Sequence, residues 1–148
     1  MNENSLWYWL RDVALPVGHY SRIESPDTAP GFPDVSYQVG ENHCGTIELK
    51  YCGRKNAKVP FPNEEKGLHS SQLRWIKNNL EHWGNIWIIA EHPPFIYIIH
   101  GSEAEHFNGA TTQQLANLSV DILYRDEPEK AAKFLRELLI PWSSNKDD

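Results

Sequence analysis

Cysteine is nearly absent from this chain of 148 residues, occurring only as Cys44 and Cys52. Two cysteines are too few for a disulfide-stapled scaffold. They flank one apparent strand and would lie at its opposite ends, so no bridge between them is expected and a reducing cytoplasm fits. No apolar run reaches the ~20 residues of a membrane-spanning helix. The polar start Met1-Asn2-Glu3-Asn4 is not a secretory signal, and no membrane partner is expected. Basic excess is missing too: 14 Lys and Arg against 20 Asp and Glu give a net charge of −6, which argues at first sight against strong nucleic-acid binding. None of the seven histidines has paired ligand spacing with a cysteine partner, so structural zinc is not expected. Repeats, low-complexity tracts and interdomain linkers are absent as well. The length suits one domain with its own core, spanning 1–142, with residues 143–148 as a disordered tail.

Two alternating runs stand out. From Asp34 to Val39, the apolar Val35, Tyr37 and Val39 interleave with Asp34, Ser36 and Gln38. From Thr46 to Tyr51, Ile47, Leu49 and Tyr51 alternate with Thr46, Glu48 and Lys50. Side chains alternate faces along a strand, so Glu48 and Lys50 share one face. The intervening Gly40-Glu41-Asn42-His43-Cys44-Gly45 is rich in turn formers and reads as a hairpin loop. Folding the runs together places Asp34 opposite Lys50, give or take a residue. Two carboxylates and an ammonium then meet in one patch.

Such a patch suits Mg²⁺, a hard cation that takes a few carboxylates, keeps several waters and accepts phosphate oxygens. Asp34 and Glu48 would hold it and favour deprotonation of a water there, while Lys50 would position the nucleophile or offset developing negative charge. The plain alternative is a surface hairpin with a carboxylate–lysine pair worth a few tenths of a kcal/mol. For an isolated Asp…Glu-x-Lys that alternative prevails, because the residues are common and the spacing is loose.

The surroundings shift the balance. Residues 50–77 hold Lys50, Arg54, Lys55, Lys58, Lys66, Arg74 and Lys77 against only Glu64 and Glu65, a window of +5 that leaves −11 for the rest. A basic segment directly after the lysine is what a phosphate-tracking surface supplies. The other reading is a solvated loop and an ordinary helix surface.

Elsewhere, Ser5–Leu15 reads as a first helix stopped by Pro16 and Gly18. Residues 25–33 form an extended, proline-rich connector that delivers Asp34, and 54–67 is irregular. Ser70 or Ser71 would cap a helix running to about Trp83, burying Leu73, Ile76, Leu80 and Trp83. Gln72 falls to the side of that stripe, where it could touch a site or remain solvated, and Trp75 reads as core edge. Ile86–Ala90 and Phe95–Ile99 read as strands inside the sheet. Pro128 and Glu129 open a last helix with an apolar stripe of Ala131, Phe134, Leu135 and Leu138 facing the core. His19, Tyr20 and Arg22 could approach phosphates.

Taken in order, Arg22-Ile23-Glu24, Gly31-Phe32-Pro33-Asp34-Val35, Ile47-Glu48-Leu49-Lys50-Tyr51, then Gln72 and Trp75 resemble the PD-(D/E)XK nuclease superfamily. The resemblance covers about residues 20–100 and is nearest to small standalone VRR-NUC-type proteins, many of them encoded by phages. It implies a restriction-endonuclease-like α/β domain whose mixed central sheet is flanked by helices. It also implies Asp34, Glu48 and the Leu49 carbonyl as ligands for Mg²⁺ or Mn²⁺, with no small-molecule cofactor. Lys50 would be the catalytic lysine, Glu24 an upstream acidic residue completing the site, and Gln72 a helix-borne member of it. Arg54, Lys55, Lys58, Lys66 and Arg74 would face nucleic acid. The long stretch from Cys52 to Gly67 and the acidic balance depart from the family's pattern and bear on substrate preference.

Because members include Holliday-junction resolvases, branched DNA is the substrate the resemblance implies. Cutting a junction symmetrically needs two sites, hence a homodimer; a phage protein would act in the host cytoplasm. A nicking or degradative nuclease, or a non-catalytic DNA- or protein-binding module, are the alternatives.

Overall fold

The computed structural model describes residues 2–23, 31–82 and 85–141. Helix α1 (Glu3–Trp9) starts where the Asn2 side chain accepts the Ser5 N–H, and it widens into a π-helical turn (Leu10–Ala14) before Pro16. Strands β1 (Gly18–Arg22), β2 (Val35–Val39) and β3 (His43–Tyr51) follow, then α2 (Ser70–Asn79), β4 (Asn85–His92) and β5 (Phe95–His100). A short 3₁₀ helix (Gly101–His106), α3 (Thr112–Leu118), β6 (Ser119–Leu123) and α4 (Pro128–Leu139) complete the order.

The strands form one six-stranded mixed sheet in sequence order. All neighbours are antiparallel except β3 and β4, which run parallel and are joined through α2. Parallel pairing in the centre explains why β4 is apolar on both faces: Ile86 to Ala90 are all buried.

Odd-numbered positions of β2 to β4 (Val35, Tyr37, Ile47, Leu49, Trp87, Ile89) pack under α1, its π-turn and α4. Ile86, Ile88, Ala90, Tyr97 and Ile99 face the other way, under α2, the 3₁₀ helix and α3. On that second face β3 places Thr46, Glu48 and Lys50 level with Ile86, Ile88 and Ala90 of β4. The polar strip of β3 thus runs beside an apolar floor.

The expected hairpin is present, but its loop is shorter and its register differs. Only Gly40, Glu41 and Asn42 separate the strands, with Gly40 and Asn42 in the left-handed region (φ 54° and 64°). Val35 therefore pairs with Ile47, so continuing the register brings Asp34 level with Glu48 rather than Lys50. Helix α2 is capped by His69 rather than by Ser70 or Ser71, and it ends at Asn79, short of the expected end near Trp83. Its deeply buried residue is Ile76, while Leu73, Trp75 and Leu80 pack half-buried. Glu24, Trp83 and the tail from 143 lie outside the described residues. Among the described residues no helix is long and apolar enough to cross a membrane, and Cys44 and Cys52 are both free thiols.

Gly31 and Phe32, in the described end of the connector into Asp34, are fastened to α2. Gly31 (φ 84°) lies so close that a Cβ would run into the Ser71 carbonyl, and Phe32 meets Trp75 edge-on with ring centroids 5.0 Å apart. Replacing Gly31 by Ala imposes both left-handed strain and a backbone collision. We expect Gly31→Ala to lower the unfolding free energy by about 1–3 kcal/mol, read as a shifted urea midpoint at unchanged slope.

Candidate metal centre

Strand β2 stops pairing at Val35, while β3 continues to Tyr51. The next backbone donor on that edge, the Leu49 N–H, would be left without a partner, at a cost of about 1–3 kcal/mol when buried. Instead it donates to Asp34 Oδ2 at 2.8 Å. A strand residue points its N–H and C=O to the same edge, so the Leu49 carbonyl leaves β3 on the side occupied by Asp34.

Glu48 is the most buried member of the group, 1% exposed. Its Oε2 accepts a hydrogen bond from Gln72 Nε2 at 2.8 Å and lies 3.6 Å from Lys50 Nζ. Gln72 Oε1 in turn accepts from Lys50 Nζ at 3.2 Å and from the His69 N–H at 2.9 Å. The glutamine therefore closes the first turn of α2 and bridges the carboxylate to the ammonium. Gln72 is thus no solvated helix amide: it touches Glu48 and Lys50.

The carboxyls are in conflict. Burial, then the charge of Asp34, hold the Glu48 carboxyl well above the usual carboxylate range. Lys50 opposes this, and hydrogen bonding with Asp34 and the charge of Glu3 add to the rise. Glu3 was not among the residues picked from the sequence. It sits in the first turn of α1 and lines the cleft that opens above Lys50. The residue is exposed as a whole, with its carboxyl partly covered by protein. Burial there and the charge of Asp34 raise it, against Lys50 and Arg22. Nothing in the alternation of β2 and β3 points to a helix 31 positions before Asp34, and no sequence signal would have found it.

The cleft encloses about 420 Å³ and is lined by Glu3, Lys50, Arg54, Lys66 and His69 among others. Of the basic residues expected to face nucleic acid, Lys66 and Arg54 are at this opening. The Arg54 guanidinium is partly spent on its own loop, donating to the Pro60 carbonyl at 2.7 Å. Lys55 and Lys58 are exposed further along the loop. Arg74 is not brought to the cleft: it lies with Lys77 on another side of α2, along a groove shared with Gly101 and Ser102. Tyr20 is engaged elsewhere, its hydroxyl on the Pro16 carbonyl at 2.6 Å and its ring against Trp7.

Among the described residues, no three His, Cys, Asp or Glu side chains converge into a complete ligand set. The donors present still suit a cation that needs few protein ligands: two adjoining carboxyls, one raised by the other's charge, and a carbonyl on the same edge.

The raised Glu48 carboxyl fixes a sign. The folded state keeps its proton at pH values where the unfolded chain, near 4.5, has lost it, so stability declines as pH rises through that window. Without divalent metal, Glu48→Gln removes this decline. The variant should match wild type near pH 4.5 and exceed it increasingly toward neutrality, measured by urea denaturation in EDTA. A scan of protein-family models finds no match, and no curated protein matches the chain.

Proposed function

We propose that this protein is a metal-dependent endonuclease with a restriction-endonuclease-like arrangement, hydrolysing DNA phosphodiester bonds. The observation that carries the reading is the meeting of the Asp34 and Glu48 carboxyls with Lys50, whose Nζ lies 3.6 Å from Glu48 and which itself lines an open cleft. A protein needing only stability would do as well with an apolar cluster here, since buried ionic groups rarely outperform hydrophobic packing. Asp34, Glu48 and the Leu49 carbonyl would hold Mg²⁺ or Mn²⁺, whose chemistry when bound is to polarise the phosphoryl group and acidify the attacking water.

The chain's own residues do the rest. Lys50 presents an ammonium to the phosphate and offsets the charge that develops in the transition state. Gln72 holds that ammonium in place and keeps Glu48 oriented. Lys66, with whatever donors of Arg54 remain, draws the phosphate backbone to the cleft mouth. Glu3, whose carboxyl feels the charges of Asp34 and Lys50, is a second candidate for the upstream acidic role beside Glu24. Branched DNA and a homodimer remain the substrate and assembly proposed on the resemblance.

The deciding experiment compares a labelled four-way junction with a matched linear duplex in Mg²⁺, Mn²⁺ or EDTA. We expect metal-dependent paired incisions in the junction. Asp34→Asn and Lys50→Ala should reduce cleavage by about 100-fold or more without loss of fold by circular dichroism. Equal cutting of both DNAs would keep the nuclease and remove the junction preference. Cleavage by Asp34→Asn at the wild-type rate would remove the site.

A further inference from the structure

Glu91 is a buried carboxylate, 1% exposed, that the proposed chemistry does not use. On β4 it follows the parity of Trp87 and Ile89 and so faces the layer of α1 and α4. Arg125, in the connection between β6 and α4, grips it with a fork: Nε to Oε2 at 2.7 Å and the terminal nitrogen to Oε1 at 2.6 Å. The same terminal nitrogen donates to Ser5 Oγ at 3.0 Å. Ser5 stands two residues after Glu3 in α1.

The Glu91 backbone has a second attachment. Its carbonyl accepts the Cys52 N–H at 2.8 Å, fixing the chain two residues past Lys50. One residue of β4 therefore holds the exit of the strand bearing Lys50 through its carbonyl, while its carboxylate holds Arg125, which reaches the turn bearing Glu3 at Ser5. The apolar contacts of Leu6, Trp7 and Leu10 press α1 against the sheet, but such contacts are non-directional. Forked, charge-assisted hydrogen bonds fix orientation.

We propose that Arg125, anchored on Glu91 and acting through Ser5, is the positioning residue that holds Glu3 beside Lys50 at the cleft. This rests on the nuclease reading for its effect on catalysis, but not for its effect on geometry. Ser5→Ala is the mild probe, because the Asn2 side chain still caps the Ser5 N–H. Arg125→Lys keeps the charge and loses the fork.

The first measurement is the amide spectrum of the metal-free protein. Ser5→Ala and Arg125→Lys should move the Asp34 and Lys50 amide resonances in the direction that Glu3→Gln moves them, and Ser5→Thr should restore them. The second is steady-state cleavage on whichever DNA the wild type cuts. Ser5→Ala should lower kcat by about ten-fold with KM little changed, and should cost nothing more in a Glu3→Gln background. Unmoved Asp34 and Lys50 resonances, or losses that add to those of Glu3→Gln, overturn the proposal. If the wild type cuts no DNA, the nuclease reading falls and the resonances alone decide the role of Arg125.

Discussion

Where β2 leaves β3, a side chain continues the ladder. Asp34 Oδ2 receives the Leu49 N–H at the position where the next strand residue would have offered a carbonyl. That single hydrogen bond satisfies a buried donor, sets the distance between two segments fifteen residues apart, and fixes a carboxylate beside Glu48. The rest of the site answers the electrostatic problem so created. Gln72 gives Glu48 a donor, Lys50 supplies opposite charge from the same strand face, and α2 is placed so that its first turn delivers the glutamine.

The sheet divides its labour along its width. Strands β4 and β5 bury apolar side chains on both faces, whereas β2 and β3 are apolar only beneath α1 and α4. On their other face lie Ser36, Thr46, Glu48 and Lys50. The parallel β3–β4 pair is the seam between these halves, and the polar strip stands directly against it. Burial beside that apolar seam makes the repulsion between the Asp34 and Glu48 carboxyls strong, while Lys50 on the same strand face lines the open cleft.

Periodicity made much of this readable. Alternation located β2 and β3 and the shared face of Glu48 and Lys50, continuous apolar runs located β4 and β5, and helical spacing located α2 and α4. The two-residue register difference came from the turn, because left-handed Gly40 and Asn42 tighten a loop that composition alone made six residues long. The segment from Gly101 to Leu123 was unreadable for another reason: β6 exposes Val120 and Asp121 at the sheet edge, so it shows no clean alternation. Arg54 illustrates a limit for charges. The sequence offers its guanidinium to phosphate, but the fold spends part of it on the Val59 and Pro60 carbonyls.

The irregular segment between β3 and α2 is held far more tightly than its lack of regular structure suggests. Asn108 brackets Leu68 as a neighbouring strand would, accepting its N–H and donating to its carbonyl, each at 2.8 Å. Phe61 stacks on Phe107, the Lys58 and Phe61 carbonyls accept the Thr112 and Gly109 N–H groups, and His92 Nε2 holds the Arg54 carbonyl. A polyanion meeting Lys55, Lys58 and Lys66 would find their backbone already fixed, so little chain entropy is lost on contact. The binding strength of such a surface then tracks ionic strength, through counterion release, rather than any folding of the segment.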